Sequence, residues 1–169
     1  MKITIENKLN KLIGFPLKHA GRAANLVWFG FGEFVEITTM TGLKREVPEY
    51  ALHVECSFRI TQCNKIVVAS GDIYTPSSQW EGEDEDFDWD VQGINRFDER
   101  IKIFNNINQS KLIVENIQGD IIGGAKIFLT NPYLLEIFPD DSNLSEKWRF
   151  FNVRSQEPHF VVRGNEFNF

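Results

Sequence analysis

Acidic side chains are concentrated in one ten-residue segment, Glu81 to Asp90, with the sequence EGEDEDFDWD. The segment holds seven of the chain's 24 acidic residues and no lysine or arginine. Without it, the remaining 17 acidic and 18 basic residues would leave a net charge of +1 instead of −6. Trp80, Phe87 and Trp89 lie beside or between these carboxylates. A concentration of carboxylates can attract a cationic protein surface or bind a hard metal ion.

The metal hypothesis depends on Asp86, Asp88 and Asp90, which occupy alternate positions as in the first half of a calcium-binding EF-hand loop. That loop also needs glycine at its sixth position and glutamate at its twelfth, where this chain has Val91 and Phe97. An EF-hand is therefore excluded. A looser calcium or magnesium site and a solvated acidic loop remain alternatives, and we predict no metal or cofactor.

The partner hypothesis treats the segment as a surface for a protein with a basic face. Carboxylates between aromatic rings imitate the phosphates and bases that a nuclease binds, and their charge would steer such a partner. The predicted partner-binding residues are Trp80, Glu83, Asp84, Glu85, Asp86, Asp88, Trp89 and Asp90.

The alternative function is a small-ligand-binding protein or an enzyme whose pocket gathers polar residues from separate strands. Carboxylates held near arginines in a cleft can acquire shifted pKa values and serve in acid/base chemistry. The candidate pocket residues are Arg22, His53, Arg59, Asp72, Asn95, Asp98 and Arg100. The sequence has no GxSxG elbow, HExxH motif or complete phosphate-binding loop, so we predict no catalytic residue and favour a non-enzymatic protein.

Composition narrows the class of protein. A length of 169 residues predicts one domain over 1–169, and 13% aromatic residues favour β-structure. No apolar run is long enough for a signal peptide or a membrane span, so we expect a cytoplasmic protein with Cys56 and Cys63 reduced. A pI near 5.1 without a basic cluster argues against nucleic-acid binding. The oligomeric state is left open, although the apolar Phe167–Phe169 terminus could pack between subunits.

Strands are predicted from alternation and turn residues. Apolar residues alternate with polar ones from Tyr50 to Ile60, which predicts one long strand. A turn at 61–65 and the segments 66–69 and 71–74 then predict the returning strand of a hairpin. Two aromatic runs, Leu26–Phe31 and Phe34–Thr39, predict either a strand pair or one bent strand. Further short strands are predicted at 112–117, 125–130, 133–138, 148–153 and 159–163.

Two helices are predicted. Asn95 is a typical N-cap for a helix from Arg96 to about Ile107, and Asp98 and Glu99 in its first turn favour the helix dipole. A shorter helix is predicted from Glu6 to Ile13. The fold class is α+β, with a mostly antiparallel sheet of about 7–9 strands.

Several segments also resemble, in the same order, a family of small uncharacterised bacterial proteins. The resembling blocks, which span roughly Leu9 to Gly164, are GRAA with the aromatic run at 28–32, EYALHVECSFRI, DWDVQGINRFDERI, LEIFPDDS, WRFF and HFVV. The resemblance includes Asp88 to Asp90 but not Glu81 to Asp86. It implies a stand-alone bacterial cytosolic protein. Proteins of this type are often the immunity partners of secreted toxins, which makes a toxin–immunity pair the specific form of the binding hypothesis.

Overall fold

The computed structural model describes residues 1–39, 41–107 and 112–164. The predicted tail contact of Phe167–Phe169 lies outside the described residues. The two α-helices are α1 (Lys2–Leu9) and α2 (Arg96–Asn106), and short 3-10 helices occur at Asn10–Leu12, Ser70–Tyr74 and Asp84–Asp86. The strands are β1 (Leu17–Ala23), β2 (Leu26–Thr38), β3 (Lys44–Val54), β4 (Ser57–Gln62), β5 (Lys65–Ala69), β6 (Val114–Gly119), β7 (Ala125–Leu129), β8 (Tyr133–Phe138), β9 (Glu146–Asn152) and β10 (Phe160–Arg163).

The strands form two antiparallel sheets of five strands each. The first has the order β1-β2-β3-β9-β10 and the second the order β5-β4-β8-β7-β6. The predicted α+β class is confirmed, although the described chain has ten strands rather than seven to nine. The strand without a sequence signal is β1, because its Ala20, Gly21 and Ala23 do not give the alternation of large apolar residues that identifies a strand.

The inner faces of the two sheets share one hydrophobic core. Phe29 of β2 and Phe58 of β4 meet edge to face, with ring centroids 5.5 Å apart. Helix α2 adds Phe97, whose ring lies 6.1 Å from that of Phe58. Helix α1 contributes Ile5 and Leu9 to the same buried cluster. Both sheets and both helices therefore depend on one apolar interior for their stability.

The predicted strand Tyr50–Ile60 is wrong as a single element. The chain leaves the first sheet after Val54 and enters the second sheet at Ser57. Between them, the amides of Glu55 and Cys56 both donate to the main-chain oxygen of Lys147. Alternation continues through this break because both strands turn the same side of the chain towards the common core. The periodicity of burial identifies which face of a strand is buried, but it does not identify the sheet to which that strand belongs.

The hairpin that follows is confirmed only in its first part. Strands β4 and β5 form the predicted hairpin, but the turn is only Cys63 and Asn64 and is shorter than the predicted turn at 61–65. The segment Ser70–Tyr74, however, is a 3-10 helix and not a continuation of the strand. Asp72 accepts a hydrogen bond from the amide of Ala69 and so closes this turn locally. A short side-chain contact of this type competes with extended structure.

Of the two alternatives for the upstream aromatic runs, the bent strand is correct. Strand β2 runs through both of them, and its pairing with β3 shifts register between Phe31 and Phe34. Gly32 lies at this shift with φ of +86°, a conformation that favours glycine. Of the five strands predicted downstream, that at 133–138 has the predicted bounds. The other four differ from their predicted bounds by one or two residues at one or both ends.

Both helices are present. The N-cap of α2 is confirmed, because the Asn95 side chain accepts a hydrogen bond from the amide of Asp98 at 2.9 Å. Helix α1 starts earlier than predicted, at Lys2, and becomes a 3-10 turn at Asn10. The earlier start brings Ile5 into the core against β6, so burial outweighs the weak local signal at Glu6.

Candidate functional site

The acidic loop, residues Trp80–Asp90, connects the 3-10 helix Ser70–Tyr74 to α2. All seven of its carboxylate side chains are exposed. Its centre is one 3-10 turn, Asp84–Asp86, closed by main-chain hydrogen bonds from Asp86 to Glu83 and from Phe87 to Asp84. The backbone rather than the carboxylates therefore determines the shape of this turn, and the negative charges stay available to solvent or to a partner.

Two aromatic pairs anchor the acidic loop. Trp80 meets Phe87 edge to face at 5.9 Å, and Trp89 meets Tyr74 at 5.3 Å. Trp89 also packs on the hydrophobic core. The indole nitrogen of Trp80 is buried and lacks a hydrogen-bond partner among the described residues. Such an unpaired donor costs about 1–3 kcal/mol.

A buried arginine connects the end of the loop to the rest of the fold. The Arg22 side chain on β1 is fully buried and donates to both carboxylate oxygens of Asp98 at 2.8 Å. It also donates to the main-chain oxygen of Val91 at 3.1 Å. Asp90 lies at the margin of this contact, with its carboxylate 3.8 Å from the guanidinium. The bidentate geometry is the strong form of an ion pair, so it ties β1, α2 and the loop together.

The cap residue of α2 adds a second connection. Asn95 is fully buried, and its amide nitrogen donates to the main-chain oxygen of Trp89 at 2.9 Å. The amide of Gly93 donates to Asp98 at 2.7 Å, where φ of +91° turns the chain towards the helix. The segment 88–95 is thus held by hydrogen bonds at three points, while the carboxylates of Glu81 to Asp86 have no ion pair with a described residue.

The seven candidate pocket residues lie in several places. Arg22, Asn95 and Asp98 are together, and their polar atoms are largely used by one another and by the loop. The other four are separate. Arg59 pairs with Glu136 at 2.6 Å on the outer face of the second sheet, and Asp72 lies 3.3 Å from Arg96. His53 lies on the outer face of the first sheet. Arg100 lies on α2, where its charge contributes to lowering the pKa of Glu99, although hydrogen bonds from Ser78 lower that pKa more.

Sequence reasoning missed the surroundings of His53. Two aromatic residues on other strands, Trp28 of β2 and Phe151 of β9, share the outer face of the first sheet with it. His19 of β1 lies on the same face beside Trp28. The alternating positions of these residues in strands were the available signal, but the pairing order of β1, β2, β3 and β9 is not readable from local patterns.

Comparisons with known proteins leave the chain without an assigned relative. No protein-family model matches it, and neither a curated protein nor a solved structure is significantly similar to it. Within residues 1–39, 41–107 and 112–164, no group of three or more histidine, cysteine, aspartate or glutamate side chains is arranged to hold a metal ion. No helix in the described part is long and apolar enough to cross a membrane.

The two cysteines should differ sharply in reactivity. Burial, with a further contribution from the negative charge of Asp140, raises the pKa of the Cys56 thiol from 9.0 to about 12. At pH 8 this leaves about a thousandfold less thiolate than at the ordinary pKa, and the thiolate is the reactive form. We expect iodoacetamide to modify the exposed Cys63 and to spare Cys56.

Peptide mapping by mass spectrometry would measure both sites. Both thiols should react after unfolding in denaturant, which provides the control. Equal rates at Cys56 and Cys63 in the folded protein would contradict the burial of the Cys56 thiol.

Proposed function

We propose that this protein is a non-enzymatic binding protein that recognises a positively charged surface of another protein through its acidic loop. The observation that carries the proposal is the combination of exposed charge with a fixed backbone. The seven carboxylates are exposed, whereas the loop beneath them is held by Trp80, Trp89 and the contacts of Arg22. A preformed loop loses little conformational entropy on binding.

Charge and aromatic surface have different roles in this proposal. The carboxylates accelerate encounter with a basic partner and set its orientation. Trp80 and Phe87, which are half-buried at the base of the loop, would supply apolar contact. Aromatic residues of this kind dominate binding energy at many protein interfaces.

The specific form of the proposal is a cytoplasmic bacterial immunity protein that covers the basic groove of a toxin. It is motivated by the spacing of the carboxylates between aromatic rings, which imitates the phosphates and bases that a nuclease binds. A toxin gene adjacent to the gene for this chain would support this form, and binding of that toxin would test it directly.

Neutralising the loop should weaken binding to a cationic partner. The variant D84N/E85Q/D86N removes three charges without removing a side-chain hydrogen bond of the loop. A fluorescent decalysine peptide serves as the probe in low-salt buffer, with affinity measured by anisotropy. At about 0.5 kcal/mol per exposed charge, we expect the affinity to fall about tenfold.

The matched control, E55Q/E115Q/E157Q, removes three exposed carboxylates elsewhere and has the same net charge. Its affinity for decalysine should stay within about twofold of the wild type. Equal losses in the two variants would show that net charge alone attracts the peptide and would overturn the assignment of the loop. If only the loop variant loses affinity, extracts of the native host can be passed over immobilised wild-type and loop-variant protein. A protein retained by the wild type alone would be the natural partner.

A further inference from the structure

The outer face of the first sheet carries a groove that is distinct from the acidic loop. It has a volume of about 620 Å³ and is lined mainly by residues of β1, β2, β3 and β9. This volume lies in the range of roughly 300–1,000 Å³ that is usual for small-molecule sites. The groove is therefore large enough to hold a small ligand against the sheet.

The strand register gives the groove a low floor. Gly30 on β2 pairs with Ala51 on β3, so two of the smallest residues lie side by side on this face. A Cβ at Gly30 would lie 2.5 Å from the ring of Pro48, so the proline ring lies directly over the backbone there. The floor is apolar as a result, and larger side chains surround it.

Aromatic rings surround this floor on separate strands. In the row of the sheet that contains the floor, the neighbours are His19 on β1 and Phe151 on β9. In the adjacent row, Trp28 on β2 pairs with His53 on β3. Strands β2 and β9, which carry Trp28 and Phe151, are two strand spacings or about 10 Å apart. This distance leaves room for a planar ring system between the two side chains.

The rings of the groove are held by contacts within the fold. A Cβ at Gly21 would lie 2.5 Å from the indole of Trp28, so the missing side chain lets the indole lie against β1. On the other side, Phe151 lies parallel to His159 at 3.9 Å and meets His53 edge to face at 5.1 Å. A ligand would find these rings already ordered, which limits the entropic cost of binding.

The charges around the groove offset one another. Lys18 forms an ion pair with Glu33 at 3.3 Å. Arg45 lines one end of the groove together with Glu46, and it lies six residues before Ala51 on β3, about 20 Å away in an extended strand. The floor therefore has no excess of positive charge beside it, and the groove favours an uncharged ligand.

Two imidazoles supply polar atoms next to the floor. Burial lowers the pKa of His19 and of His53, and the nearby charge of Arg149 lowers the latter further. Arg149 itself pairs with both carboxylate oxygens of Glu146. Both imidazoles are therefore largely neutral at pH 7, and neither makes a hydrogen bond to a described residue. A neutral imidazole has one donor and one acceptor nitrogen, so the pair matches a ligand edge that carries both kinds of atom.

We propose that the groove binds an uncharged planar nitrogen heterocycle. Its ring lies over Ala51 between Trp28 and Phe151, and its donor and acceptor atoms meet the imidazoles of His19 and His53. Contact with the aromatic rings and burial of apolar area supply the affinity. The imidazoles select a ring that both donates and accepts hydrogen bonds, because a ring without such atoms leaves them unpaired. The offset charges favour a free heterocycle over its phosphorylated derivatives.

The test uses adenine, which is planar and uncharged at pH 7.5, as the probe. Titration of the full chain is followed by NMR, and we expect a dissociation constant of about 1 mM, on the scale of ligands of this size. Cyclohexanecarboxamide, which has polar atoms but no aromatic ring, should bind at least about fivefold more weakly. Adenosine monophosphate, which adds a charged phosphate, should bind no more tightly than adenine.

Two variants assign the site. Ala51→Leu raises the floor of the groove and should weaken adenine binding at least about tenfold. His53→Phe keeps a ring beside Phe151 but removes both nitrogen atoms, and it should weaken adenine binding about fivefold. Phe138→Ala, which removes an exposed ring on the other sheet, should leave binding unchanged, as should the triple variant of the acidic loop. Near-UV circular dichroism checks that each variant is folded.

The proposal is overturned if adenine gives no chemical-shift change at millimolar concentration, or if Ala51→Leu and His53→Phe bind it as well as the wild type. Adenosine monophosphate binding more than about tenfold tighter than adenine would overturn the assignment of an uncharged ligand. A dimer in light scattering that Ala51→Leu dissociates would also overturn the proposal, since a second copy of this chain would then occupy the groove. Because the acidic loop is tested separately with decalysine, either site can fail without affecting the other.

Discussion

Replacing Arg22 with alanine is expected to lower the free energy of unfolding by about 3–5 kcal/mol, because it leaves a buried charge without its partner. The Arg22 side chain is fully buried and the Asp98 side chain is 12% exposed. Arg22 also donates to the main-chain oxygens of Ala24 and Val91. One substitution therefore removes the partners of a carboxylate and of two carbonyl groups.

Urea denaturation measures this loss, and Lys44→Ala is the matched control. Lys44 forms an ion pair with Glu36 at 2.8 Å, but the two side chains are 70% and 55% exposed. Its removal should cost less than about 1 kcal/mol. Exchanging both members of the buried pair for apolar residues, as in R22M/D98L, should recover part of the loss. A change below about 1 kcal/mol in Arg22→Ala would contradict the structural role of the pair.

Arg22→Ala should also loosen the acidic loop. The hydrogen bond to Val91 and the orientation of Asp98, which accepts from Gly93, hold the end of the loop beside α2. Amide hydrogen exchange at residues 88–95 should therefore accelerate more than exchange in the central strands. If exchange changes equally throughout the protein, the ion pair contributes to global stability without holding the loop.

Replacing Phe58 with alanine is expected to lower the free energy of unfolding by about 3–5 kcal/mol, the range for truncation of a buried phenylalanine. Phe58 is 1% exposed and contacts Phe29 of the first sheet and Phe97 of α2 edge to face. Its ring thus connects three elements that have no local link in sequence. The cavity left by alanine would border both sheets and the helix.

Phe138→Ala provides the control for Phe58→Ala. Phe138 is 39% exposed and lies beneath the guanidinium of Arg59 at 5.6 Å, so its loss should cost about 1 kcal/mol or less. Phe58→Leu, which retains most of the buried volume, should fall between the two. Thermal and urea denaturation would rank the three variants, and equal stabilities of Phe58→Ala and Phe138→Ala would exclude a central role for the Phe58 ring.

Local sequence patterns predicted the elements whose stability depends on neighbouring residues. The cap of α2 was readable because Asn95, Asp98 and Glu99 lie within one turn. Strand β8 and the hairpin β4–β5 were readable because their turn residues and apolar runs are contiguous. The same patterns did not reveal that β3 and β4 belong to different sheets. The hydrogen bonds that separate them come from Lys147, about 90 residues away in the chain.

The acidic segment shows the same division between local and tertiary information. Composition alone located it, and the resembling block DWDVQGINRFDERI, which begins at Asp88, separated its second half from Glu81 to Asp86. Tertiary structure decided how each half is held, through Trp80 and Phe87 in the first half and through Arg22 and Asn95 in the second. The run of charges predicted that the carboxylates are exposed. It did not predict that Arg22 is buried behind them.

By itself the sequence determined the fold class, the main helix and the position of the excess negative charge, because each depends on residue type and short-range periodicity. Only the tertiary structure decided which strands are neighbours and which side chains meet. The Arg22–Asp98 pair joins residues 76 positions apart, and the outer face of the first sheet brings together rings from four strands, those of His19, Trp28, His53 and Phe151. Such contacts arise from packing two sheets on one core, and no local pattern encodes the register that brings them together.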